Sequence, residues 1–88
     1  MIQKDVVVQL SGGLEARPAA ILVQKASVFD SKVYIASGDK KVNAKSIMGM
    51  MSLGLLKGET LTVITDGDDE KEALESIDSF LSGNDKED

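Results

Sequence analysis

Apolar and polar positions alternate at the start of the chain. Ile2, Val6, Val8 and Leu10 share one face of residues 2–10, with Lys4 the exception, and Gln3, Asp5, Val7 and Gln9 share the other. A period of two predicts a strand. Ser11, Gly12 and Gly13 break it. From residue 16 to residue 29 the period becomes helical: Ala19, Leu22, Val23, Ala26 and Phe29 follow one stripe. Pro18 sits in the first turn, where its missing N–H costs nothing.

The later segments follow the same logic. VYIA at 33–36 reads as a strand, SGDK at 37–40 as a turn and KKVN at 40–43 as a short strand. SIMGMMSL at 46–53 predicts a short helix with Ser46 as N-cap, and Gly54 and Gly58 bracket its exit. TLTVIT at 60–65 predicts a strand with Leu61, Val63 and Thr65 on one side. DGDDEKEAL opens the last helix, where Asp69 and Glu72 have capping-box spacing. Ala73, Leu74, Ile77, Phe80 and Leu81 form its stripe, Gly83 supplies a stop, and residues 84–88 are expected to fray. The order is β-α-β-β-α-β-α. A sheet covered on one face by the helices is the simplest α+β arrangement that buries three one-sided helices. A ferredoxin-like split β-α-β fold competes with it. No repeat or linker divides the chain, so residues 1–88 are expected to form a single domain.

Composition narrows the chemistry. The 88 residues are 42% hydrophobic but only 3% aromatic, so the core must be aliphatic and rich in methionine. Cysteine is absent, which excludes disulfides and thiolate metal sites. Histidine is absent too, which removes the commonest general base and metal ligand. The net charge of −5 argues against nucleic-acid binding by this chain alone. No run approaches the ~18 apolar residues of a membrane span, and residues 1–10 lack a signal-peptide core. A cytoplasmic protein without a cofactor is expected.

Four features could carry function. Glu15 at a helix N-terminus is either a favourable charge on the macrodipole or a carboxylate nucleophile that accepts a phosphoryl group. Arg17 is either a partner for Glu15 or a fork for an anion on another protein. Ser46 is either a cap, contributing about 1 kcal/mol, or a phosphorylation site whose charge the helix dipole tolerates. In the short helix, Ile47, Met48 and Met51 point outward if Met50 and Leu53 point inward. They then form a partner surface, unless the helix is fully buried. DGDDE at 66–70 does not make a calcium loop, because Ile77 stands where the twelfth-position glutamate should be.

GLEARPAA at 13–20 and KKVNAKSIMGMMSLGLLKG at 40–58 together resemble the HPr family of the bacterial sugar phosphotransferase system. The likeness extends over nearly the whole chain and implies an open-faced β-sandwich: a four-stranded antiparallel sheet covered on one face by three helices. Phosphocarrier members hold a histidine where this chain has Glu15, so the family's relay from enzyme I to sugar-specific proteins is not expected. What the resemblance leaves is Ser46, matching the serine phosphorylated by the HPr kinase/phosphorylase. It implies a non-enzymatic regulator of carbon catabolite repression, whose phosphorylated form binds a LacI-type catabolite control protein. The residues matching the family's contact surface are Glu15, Ala16, Arg17, Ala20, Ile21 and Gln24, with Ser46, Ile47, Met48 and Met51. A carrier working through a Glu15 acyl phosphate and a generic binding domain are the alternatives. The Gly12–Gly13 pair permits a strand-exchanged homodimer; a monomer is equally compatible.

Overall fold

The computed structural model describes residues 1–10 and 16–83. These form β1 (Ile2–Val7), α1 (Ala16–Ser27), β2 (Lys32–Ser37), β3 (Lys40–Asn43), α2 (Ile47–Met51), β4 (Thr60–Asp66) and α3 (Glu70–Leu81). The strands make one antiparallel sheet in the order β1-β4-β2-β3. β4 thus lies between β1 and β2, where the ferredoxin-like alternative would place β3.

Register explains the alternation. Val6 opposes Leu61, Val63 opposes Ile35, and Ile35 opposes Val42, so two adjacent rows of branched side chains line one face of the sheet. Ala19, Leu22 and Ala26 of α1, Met50 of α2, and Ala73, Ile77, Phe80 and Leu81 of α3 close over that face. Side chains on the far face, among them Asp5, Tyr34, Lys41 and Thr62, meet each other instead of a helix. Thr62 Oγ1 donates to Asp5 at 2.7 Å, and the Lys41 ammonium lies 4.7 Å from the centre of the Tyr34 ring.

Two expectations are corrected. The first strand is shorter than the alternation over 2–10 suggests. After Val7 the chain leaves β4, and its backbone is satisfied elsewhere: Val8 N donates to Glu59 O at 2.9 Å and Gln9 N to Leu81 O at 2.8 Å. Val8 therefore stays fully buried outside the ladder. Lys4, the exception in the inward row, reaches past the core edge and donates to Asp78 of α3 at 2.6 Å.

The second correction concerns Asp69. It is the N-cap of α3, but its side chain makes no cap hydrogen bond. Its carboxylate instead accepts from the N–H groups of Asp30 and Ser31, each at 2.9 Å, and from the Ser31 hydroxyl. Ser31 is 1% exposed, so its polar groups need a partner more than the solvent-facing first turn of α3 does. Glu70, not Glu72, reaches back to the turn, accepting from Gly67 N at 3.1 Å.

These bonds hold the Asp69 carboxyl below its ordinary range, with the Ser31 hydroxyl the main cause and the Asp30 N–H next. A depressed carboxyl stabilises the fold above its unfolded value, near pH 3.9, and that contribution is lost as pH falls through the folded value. Asp69→Asn is therefore expected to lower stability at neutral pH and to flatten the decline below about pH 4. Urea midpoints measured across that range for both proteins check this. Parallel acid limbs would contradict it.

Candidate functional site

Ser46 lies where β3 hands the chain to α2. Its backbone is extended, at φ −112° and ψ 116°, and its Oγ accepts from Gly49 N at 3.3 Å. Met50 N donates to Ser46 O at 3.0 Å, closing the first turn. The hydroxyl thus satisfies an N–H that the helix itself cannot, which is why a five-residue helix starts here. Its own proton is not needed for the cap, and the side chain is half-buried rather than enclosed.

Two lysines brace this segment. Lys45 Nζ donates to Phe29 O, beyond the end of α1, at 2.7 Å. Lys40 Nζ donates to Ser52 O, at the C-terminal end of α2, at 3.2 Å. Gly49 lets the helix lie close to β3, since a Cβ there would stand 3.3 Å from the Val42 Cβ. The hydropathy pattern does not reveal this role of the lysines, because neither falls on an apolar stripe.

α2 divides its side chains sharply. Met50 is fully buried and Leu53 packs partly against the core, as their inward placement requires. Met48 is 78% exposed, Met51 49% and Ile47 38%. The fully buried reading of this helix is therefore excluded. Met48 and Met51 are three residues apart and Ile47 and Met51 four, which puts neighbouring side chains on one face.

α1 packs beside α2 and carries the other expected contact residues. Arg17, Ala20 and Gln24 are exposed, and Ile21 is half-buried against the core. Ala16 begins the helix. Glu15 and the Gly12–Gly13 pair lie outside the described residues. The structure therefore brings together the α1 and α2 sets, leaving a polar, arginine-bearing helix face beside an apolar one. Among the described residues no group of three or more acidic side chains converges as a metal site would, and no helix is long and apolar enough to cross a membrane.

Residues 2–83 match the family described as the PTS HPr component phosphorylation site. The chain belongs to the HPr family. The HPr-like protein Crh of Halalkalibacterium halodurans is 53% identical over 81 residues, covering 92% of this chain and 96% of that one. The crystal structure of the phosphocarrier protein HPr from Bacillus anthracis superposes with a TM-score of 0.89 at 48% identity, covering 91% of this chain and 95% of that chain. The catabolite repression protein Crh of Bacillus subtilis, whose crystal structure is described as a swapped-domain dimer, gives a TM-score of 0.79 at 47% identity. That match covers 99% of this chain and 100% of the other. The open sheet with helices on one face is thus the HPr fold, and the chain is a Crh-like member of the family.

Proposed function

We propose that this HPr family protein is a regulatory phosphoprotein of carbon catabolite repression. In this reading the HPr kinase/phosphorylase phosphorylates Ser46, and the phosphoprotein binds a LacI-type catabolite control protein as corepressor. The protein is a substrate and a docking module in the cytoplasm, and catalyses nothing itself. The observation that supports this best is the placement of Ser46: its hydroxyl caps α2 immediately beside the exposed Ile47, Met48 and Met51.

The mechanism is a local charge change beside a constant apolar anchor. A phosphate on Ser46 adds a charge of about −1.5 to −2 at the helix N-terminus, where the dipole favours it. It offers charge-assisted hydrogen bonds to a basic partner, while the exposed face of α2 supplies apolar burial. Arg17, Ala20, Ile21 and Gln24 widen the contact along α1. Glu15 blocks the sugar relay by standing where carriers hold histidine. It also keeps a negative charge at that position. The swapped-domain dimer of the Bacillus subtilis relative supports a strand-exchanged form of this chain beside the monomer.

The test is intact mass after incubation with the kinase and ATP, and separately with enzyme I and phosphoenolpyruvate. One phosphate is expected from the kinase, none in Ser46→Ala, and none from enzyme I. A phosphate from enzyme I that disappears in Glu15→Gln would instead establish the acyl-phosphate carrier. A kinase that ignores Ser46 would leave a binding domain outside sugar regulation.

A further inference from the structure

The sulfur chemistry of this chain is confined to four methionines, since cysteine is absent. Three of the four lie within α2, at positions 48, 50 and 51. The fold treats them unequally. Met50 is fully enclosed in the core, whereas Met48 is 78% exposed and Met51 49%. The two accessible thioethers share the apolar face next to Ser46, and Met1, 76% exposed, lies in the sequence before β1.

We propose that Met48 and Met51 form a reversible oxidation site that turns the α2 docking face off. The inference rests on the docking role given to that face above. The oxidant is hydrogen peroxide. A sulfur lone pair attacks one peroxide oxygen, the S–O bond forms as the O–O bond breaks, and the departing oxygen takes the proton and leaves as water. Sulfur loses two electrons and the peroxide gains them. A methionine sulfoxide reductase reverses the step, passing the oxygen to water while a dithiol closes to a disulfide.

The physical effect follows from where the oxygen goes. A sulfoxide is strongly polar and accepts hydrogen bonds, so burying it against an apolar partner requires stripping its water. The thioether required no such step. Met48 and Met51 both lie at the surface of the free protein, outside the buried core, so adding the oxygens is expected to leave the fold intact. Met50 holds α2 to the sheet and is shielded from the reagent.

The experiment treats the Ser46-phosphorylated protein with hydrogen peroxide and maps oxidation by peptide mass. Oxygen is expected on Met48, Met51 and Met1, with Met50 unmodified and the thermal melt unchanged. Affinity for the catabolite control protein should fall by about tenfold or more, and reductase treatment should restore it. Met48→Leu/Met51→Leu keeps the apolar face without sulfur and should bind alike before and after peroxide. Oxidation that spares the binding, or that acts by oxidising Met50 and unfolding the protein, overturns the proposal. If the untreated phosphoprotein does not bind the regulator, the corepressor reading falls instead. The oxidation site is then decided by retention on a phenyl hydrophobic-interaction column. Retention must drop on peroxide treatment in the wild type and stay constant in the double variant; unchanged wild-type retention overturns it.

Discussion

Gly67→Ala is expected to cost this domain about 3 kcal/mol or more, the largest loss from an added Cβ at any glycine among the described residues. Gly67 has φ +155°, a region that residues with a Cβ rarely enter. A Cβ there would stand 2.6 Å from the Ser31 Oγ, 2.9 Å from its Cβ and 2.7 Å from its Cα. The last is a backbone atom and cannot swing aside. Ser31 is also pinned by the Asp69 carboxylate through both its N–H and its hydroxyl. Small domains hold only about 5–15 kcal/mol in total, so the variant should melt far below the wild type. Ser31→Gly in the same background removes the 2.6 Å and 2.9 Å contacts but not the one to Cα, so it should recover only part of the loss. Urea midpoints for the three proteins check this. A Gly67→Ala midpoint equal to that of the wild type would mean the turn relaxes freely.

Met50→Ala is expected to cost about 3 kcal/mol, concentrated in α2, whereas Met48→Ala should change stability by less than about 0.5 kcal/mol. A helix of five residues does not form alone, because its nucleation outweighs the few hydrogen bonds gained. Met50 is the residue of α2 that is fully buried, so it supplies most of the tertiary hold. The Ser46 cap and the Lys40 and Lys45 hydrogen bonds add to it. Without the Met50 side chain, the Met50 amide should exchange faster than the strand amides, and the kinase should phosphorylate Ser46 less efficiently. Equal exchange protection in the two variants would show that α2 is held by something other than this contact.

Much of the fold is legible in the hydropathy pattern because one-sided burial leaves a period behind. The inward face that holds Val6, Leu61, Val63 and Ile35 shows as alternation, and the stripe Ala73–Ile77–Phe80 shows as a helical repeat. Hydrogen bonds between residues distant in sequence leave no period. The tie from Asp69 to Ser31 spans 38 positions, and local spacing points instead to a cap. Lys4 looks like an error in a strand until Asp78 is placed opposite it by the docking of α3. At the site, the exposure of Ile47, Met48 and Met51 follows from the inward turn of Met50, which the sequence suggests. The bracing by Lys40 and Lys45 does not, since it depends on where Ser52 O and Phe29 O come to rest.

The position of β4 has a consequence for biosynthesis. It pairs with both β1 and β2, yet among the described strands it is the last to be translated. Until residues 60–66 have left the ribosome, only the β2–β3 hairpin can form its hydrogen bonds. β1 must wait for this partner while the residues between it and β4 are made. Sheet assembly therefore waits for β4. In that interval nascent chains on one messenger are neighbours, and the β4 that β1 meets first need not be its own.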